Sequence, residues 1–257
     1  MHKWLLILTG LLVWACVGQK DDPDPEPEPD VPELPGGVAE GTRFFHRVLA
    51  LEFTGTWCQY CPNMTDALIE AQQLRPYRLV DIAMHAFDEF SPSCADDLVS
   101  QFNVSSYPTM VLDMDASTSF QSKLASIMTD YVDKTSLQTA CGIALSCADG
   151  RLTVKVKAAE EGEHKLAVAV VEDGLVAYQT GYGDNYVNHA VLRRYLTPLA
   201  GESLGSLKAE EEAIRSYQVT LEERQRIVAY VVKDGKSINA LSCQDNETIP
   251  YTYEEDD

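Results

Sequence analysis

The sequence predicts an α/β unit followed by an all-β antiparallel sandwich. Three observations carry that prediction. Strand and helix signals alternate between residues 47 and 134, the apolar spacing changes to period two after Ser136, and Asp-Gly pairs punctuate the chain from there on. The chain has 257 residues, room for one large domain or two modest ones at about 100–200 residues each. Forty acids against twenty bases give a formal charge of −20. Nucleic acid is therefore not an expected partner, because phosphate binding needs basic patches. Seven of the acids lie between Asp21 and Glu33 and four more end the chain at 254–257, which leaves residues 39–253 at only about −11.

The first elements read as an address. Trp4 to Trp14 is an apolar run of eleven residues behind a weakly basic start. It is too short to span a bilayer, which takes about 20 residues, and it fits the core of a secretory signal. The run closes on Val13-Trp14-Ala15-Cys16. This resembles the lipobox of bacterial lipoproteins, in which a small residue precedes a cysteine that is lipidated and becomes the mature N-terminus. Ala15 and Cys16 match, and Trp14 is bulkier than the usual occupant. Residues 1–15 are thus expected to be a signal peptide and Cys16 a lipid anchor. Gln19-Lys20-Asp21-Asp22 resembles the acidic export tag of some surface lipoproteins and reads equally as a solvated linker. Asp22 to Gly37 alternates proline with acid, a composition that favours extended polyproline II at about 3.1 Å per residue. Residues 16–38 are therefore read as a tether.

Arg47 to Phe53 is a buried-strand pattern broken only by Glu52. Trp57-Cys58-Gln59-Tyr60-Cys61-Pro62 follows after a short turn, and Met64, Ala67, Leu68, Ala71 and Leu74 mark one face of a helix. The C-x-x-C pair thus falls where a strand hands over to a helix N-terminus. There the unpaired N–H groups and the helix dipole would stabilise a thiolate on Cys58. Leu79–Met84 reads as a second strand, Ala95–Phe102 as a helix, Met110–Leu112 as a third strand opened by Tyr107-Pro108, and Gln121–Lys134 as a closing helix. The expected hairpin partner after Leu112 is weak, since Asp113 to Ser119 is short and polar.

W-C-x-x-C-P after a strand, an acid six residues before the first cysteine, and a proline opening a strand some fifty residues later resemble the thioredoxin superfamily. The resemblance implies an α/β thioredoxin-like domain over residues 39–135. It implies Cys58 as attacking thiol, Cys61 as resolving thiol, and Glu52 as the buried acid that manages the proton. Pro108 would be a cis-proline beside the dithiol, with Tyr107 offering backbone bonds to a substrate chain. Trp57 would flank the dithiol as a packing residue on the substrate side. The family usually carries aspartate where Glu52 stands.

Zinc is the first competing use of the cysteines. It would need two further ligands, and only His85 and Cys94 are nearby candidates. No metal and no cofactor is therefore expected. His85 and Cys94 both fall at the strand-end edge, and the simpler readings are a strand-end histidine and a loop cysteine paired elsewhere. An idle structural disulfide between Cys58 and Cys61 is the second alternative.

From Ser136 the pattern alternates. Leu152, Val154 and Val156 point one way and Lys155 and Lys157 the other, as in a half-buried strand; Leu166–Val171, Ile227–Val232 and Ile238–Leu241 read similarly. Asp149-Gly150, Asp173-Gly174 and Asp234-Gly235 are hairpin-turn signals. An antiparallel β-sandwich is expected over 136–253, with Glu202–Glu212 as a solvated acidic insert and 254–257 as an acidic tail. Asn188-His189-Ala190-Val191-Leu192-Arg193, together with the lipobox and W-C-x-x-C-P, makes the whole chain resemble the twenty-eight-kilodalton outer-membrane lipoprotein family. That resemblance implies a thioredoxin-like unit joined to a C-terminal sandwich. His189 and Arg193 themselves read as strand-surface residues. Four cysteines remain: Cys94, Cys141, Cys147 and Cys243. Cys141 and Cys147 lie about 20 Å apart on one extended strand, so one of them with Cys243 is the expected bridge.

The resulting expectation is an exported protein, lipid-anchored in the outer membrane, that exchanges protein thiols and disulfides through Cys58 and Cys61. The alternative is a surface binding or assembly module whose cysteine pair is structural.

Overall fold

The computed structural model describes residues 43–254. The expected signal peptide, the Cys16 anchor, the tether and nearly all of the acidic tail lie outside the described residues. The first elements are β1 (Phe44–Phe45), β2 (Val48–Thr54), α1 (Cys61–Leu74), β3 (Leu79–His85), α2 (Ala95–Gln101), β4 (Thr109–Leu112) and α3 (Ala125–Lys134). The strands β5 (Gln138–Thr139), β6 (Cys141–Ala148), β7 (Arg151–Ala158), β8 (Gly162–Glu172), β9 (Leu175–Gln179) and β10 (Gly183–Asn188) follow. The chain continues through β11 (Val191–Tyr195), β12 (Glu202–Leu207), β13 (Glu212–Gln218), β14 (Gln225–Lys233), β15 (Lys236–Cys243) and β16 (Glu247–Ile249). The turns at Asp149-Gly150 and Asp234-Gly235 have positive φ at both residues, as two-residue hairpin turns require.

The expected class, an α/β thioredoxin-like domain followed by an all-β sandwich, is not the observed one. Strands hold 47% of the described residues and helices 16%, and the strands of both regions join in one sheet. Its order is β15-β14-β8-β11-β3-β2-β4, with β12 added against β8. The seam is a parallel pairing of β11 with β3, Val191 opposite Ala83, where Ala83 N–H donates to the Ala190 carbonyl at 2.8 Å. The physical reason lies in β3, a strand almost wholly buried whose edge would otherwise stand open to water and to other chains. A change of sequence period marks where helices stop; it carries no information about which strand edges pair.

Burial is also deeper than half-buried strands allow. Along β8 the residues Ala167, Ala169 and Val171 face one apolar cluster and Leu166, Val168 and Val170 face another. The first cluster is shared with Leu49, Leu51 and Phe53 of β2 and with Leu98 of α2, so both halves of the chain build one core. The second is closed by the four-stranded sheet β13-β7-β6-β16. Helices α1 and α3 cover the outer face of β2 and β4 through Met64, Leu68, Met128 and Val132. The region 202–212 is mostly exposed, as expected of solvated surface, but it is ordered rather than inserted: β12 pairs with β8, β13 pairs with β7, and Arg215 of β13 reaches Glu202 at 2.5 Å.

The large sheet curls until its ends meet. Ser237 N–H donates to the Asp113 carbonyl just past β4 at 2.8 Å. Asn239 on β15 is fully buried and fully satisfied. Its oxygen accepts from the N–H of Arg47 and of Ala240, and its amide donates to the carbonyls of Phe45 and Cys141. The seam carries its own clamp, in which Arg226 of β14 binds Asp81 of β3 at 3.1 Å and Asp173 at 2.8 Å. Removing the guanidinium would leave two partly buried carboxylates facing one another. Arg226→Leu is therefore expected to lower unfolding stability by about 1–3 kcal/mol, read as a reduced urea midpoint with unchanged slope.

Candidate functional site

β2 ends in a tight turn that the local residues dictate. Gly55 has no room for a side chain, because a Cβ there would lie 2.6 Å from Trp57 Nε1 and 3.0 Å from the Ala86 carbonyl. Trp57 Nε1 donates to that carbonyl at 2.8 Å, and Cys58 N–H closes the turn on the Gly55 carbonyl at 3.0 Å. α1 then starts at Cys61, with Pro62 in its first turn where a missing N–H costs little. Cys58 and Cys61 are joined as a disulfide, and they are only 5% and 1% exposed.

Glu52 lies within β2 between Ala83 and Met110 and is buried. Thr65 Oγ1 donates to its carboxylate at 2.9 Å and also lies 3.5 Å from the Cys61 carbonyl, so one hydroxyl links the acid to the helix turn that carries Cys61. Burial pushes the Glu52 carboxyl up to about 8, the Thr65 hydrogen bond opposes this, and Asp81 and Asp66 add to it. Glu52 is thus a neutral acid at neutral pH. Tyr107–Pro108 is a cis peptide, and Pro108 is buried. The Tyr107 ring stacks edge-on to Trp57 at 5.2 Å, with Phe87 at 6.4 Å from both. Phe87 is 68% exposed.

His85 and Cys94 go different ways. His85 Nδ1 lies 2.7 Å from Asp88 Oδ2 in a buried contact, and the imidazole lines the same small polar cavity as Glu52 and Thr65. Asp88 also accepts from the N–H groups of Thr56 and Phe90. Burial would raise its carboxyl, but the His85 ring and these donors hold it below the usual range. Cys94 sits at the start of α2 and packs against the shared core; burial raises its thiol. Among the described residues no three His, Cys, Asp or Glu side chains converge as metal ligands. Arg193 lies 3.4 Å from Glu172.

The residues that sequence reasoning missed come from the β9–β10 hairpin, which seats directly on the cysteine turn. Gln179 Nε2 donates to the carbonyls of Cys58 at 2.7 Å and Gly55 at 3.2 Å, and Thr180 N–H donates to Thr56 at 2.9 Å. Tyr182 Oη donates to Asn63 at 2.8 Å. Gly181, at φ +85°, lies so close to Gln59 that a Cβ would be 3.1 Å from its Cγ. Tyr186 faces Thr65 and Glu52, and burial raises its phenol to about 12. Asn188 and His189 line the same cavity. The one local signal was the Asn188-His189 motif, which ends this hairpin.

The model of the outer membrane protein Omp28 family matches residues 95–248, more than half of the chain. The chain belongs to the Omp28 family. The match includes Tyr107, Pro108 and the covering hairpin, and it stops short of Glu52, Trp57, Cys58 and Cys61. Two solved structures share the fold. HBP35 of Porphyromonas gingivalis aligns with a TM-score of 0.65 at 16% identity, over 82% of this chain and 79% of that one. Protein AGR_C_4864 from Agrobacterium tumefaciens aligns with a TM-score of 0.60 at 12% identity, over 78% of this chain and 95% of that one. No curated protein sequence matches the chain.

Two outcomes follow from this geometry. Gln179→Leu removes one donor from each of two carbonyls, which keep the N–H groups of Cys58 and Cys61, at a cost of about 0.5–1.5 kcal/mol; dithiothreitol should then reduce Cys58–Cys61 several-fold faster, read by time-resolved alkylation. The second concerns Glu52, whose folded-state proton affinity exceeds the ordinary value of 4.5. Its stabilising contribution is complete below pH 4.5 and is lost as pH rises towards about 8. Stability of the wild type relative to Glu52→Gln should therefore fall by more than ~1 kcal/mol between pH 5 and pH 8 in urea titrations.

Proposed function

We propose that this Omp28-family protein is an exported, lipid-anchored surface protein of the outer membrane that binds or assembles with a protein partner, and that Cys58–Cys61 is a structural cross-link. The observation that carries this reading is the β9–β10 hairpin. It hydrogen-bonds the Gly55, Thr56 and Cys58 carbonyls of the cysteine turn and leaves the cysteines buried, whereas a working dithiol needs an accessible attacking sulfur. The outer face of the hairpin supports the binding role. Val176, Tyr178 and Val187 are exposed there, and Trp57, Tyr60 and Phe87 are exposed around the cysteine turn. Clustered aromatic and aliphatic surface of this kind marks interaction sites. The lipid anchor rests on Cys16 at the end of the apolar leader.

A second reading, thiol–disulfide exchange with protein substrates, is favoured by Glu52. A buried acid that holds its proton to about 8, one hydroxyl from the Cys61 turn, suits proton transfer to and from a resolving thiol. In that reaction Cys58 thiolate attacks a substrate disulfide and expels one substrate thiolate. The Cys61 proton then passes by relay through the Glu52 carboxyl, whose own proton goes on to the departing thiolate, as Cys61 attacks the Cys58 sulfur and releases the second substrate sulfur as a thiol. Trp57, Tyr107 and Pro108 would border the substrate.

Equilibration of the full chain in dithiothreitol redox buffers separates the two. The structural reading expects a potential below about −300 mV and no disulfide reductase turnover. A potential near −200 mV, with turnover abolished by Cys58→Ser, would overturn it in favour of exchange.

A further inference from the structure

The chain passes from the eight-stranded sheet to the four-stranded sheet at one corner, and a cysteine stands on each side of it. Cys243 is the last residue of β15. After a turn of three residues the chain enters β16 at Glu247, which pairs directly with Cys147 of β6. The two sheets, elsewhere separated by a layer of side chains, must converge where so short a turn joins them. Within that turn, Asp245 lies 3.8 Å from Cys147 Sγ, which places the Cys147 sulfur two residues from Cys243. Both cysteines are 1% exposed and belong to the same apolar cluster. Each is a thiol in the structure. Burial raises the Cys243 thiol to about 12, and the neighbouring Cys147 adds to the rise.

The other two cysteines have no such geometry. Cys141 begins β6, six residues before Cys147 and so about 20 Å along the strand, with its sulfur on the Gly142 carbonyl. Cys94 packs against the separate core inside the curled sheet.

We propose that Cys147 and Cys243 form a second disulfide that pins the two sheets together at this corner. In its formation the two thiols lose their protons, an S–S bond forms between Cys147 and Cys243, and two electrons pass to a donor disulfide, protein or low-molecular-weight, which is reduced to two thiols. Burial in the finished fold restricts this exchange to the folding chain, before the apolar cluster closes. An exported protein meets such donors as it folds. Once formed, the bond is shielded from reductant by the same cluster.

Refolding the full chain in an oxidised/reduced glutathione buffer tests this independently of where the protein resides and of what Cys58–Cys61 does. After acid quenching, denaturation in N-ethylmaleimide and tryptic digestion, tandem mass spectrometry should find peptide 135–151, which holds both Cys141 and Cys147, cross-linked to the Cys243 peptide, with fragment ions placing the bridge on Cys147 and maleimide on Cys141 and Cys94. The cross-link should persist in Cys141→Ala and vanish in Cys147→Ala, where Cys243 takes the label. Maleimide on both Cys147 and Cys243 of the wild type would overturn the proposal, as would a cross-link that survives in Cys147→Ala. The wild-type map decides the matter even if a variant fails to refold.

Discussion

The parallel pairing of β11 with β3 is the constraint on which the rest of the structure depends. Through it, strands some hundred residues apart in sequence become neighbours, with Val191 opposite Ala83. Without it β3 would be an open edge, and the core formed by Leu49, Leu51, Phe53, Ala167, Ala169 and Val171 would lose one of its walls. The clamp of Arg226 on Asp81 and Asp173 and the curl that brings Ser237 to Asp113 both presuppose this seam.

The same pairing sets the chemistry of the cysteine turn. β10 ends at Asn188, three residues before β11 begins, so fixing β11 beside β3 delivers the β9–β10 hairpin to the end of β2, where Cys58 lies. Gln179 then caps the turn and Tyr186 covers Glu52. Burial of the sulfurs and the proton retained on Glu52 are thus two effects of one tertiary contact. A strand–turn–helix bearing the same cysteines, but without the hairpin, would expose both groups to water and support a different chemistry.

Local order was legible wherever neighbouring residues sufficed to determine it. Gly55, Trp57 and Pro62 specify the turn into α1 through sterics and a missing N–H, and the Asp-Gly turns at 149 and 234 require only residues tolerant of positive φ. Leu166–Val171 needed a different reading from its neighbours: six consecutive apolar residues with no polar alternate are the pattern of a strand buried on both faces, and both sides of β8 do face cores. What no local pattern supplies is which other strands build those cores. The hairpin was harder still. Gln179 and Tyr186 are ordinary strand residues until another part of the chain lies beneath them.

By itself the sequence determined an apolar run before Cys16, the Cys58–Cys61 pair at a strand-to-helix turn, Glu52 in an otherwise apolar strand, and the positions of most helices and turns. These are properties of residue type and short spacing, settled by torsional preference and period. Only the tertiary structure decided that both regions share one sheet, that Glu52 stays protonated, that a hairpin covers the disulfide, and that Cys147 rather than Cys141 lies at the corner with Cys243. Each of these depends on which strand edges meet, and backbone hydrogen bonds, the same for every residue but proline, leave almost no trace of that choice in the sequence.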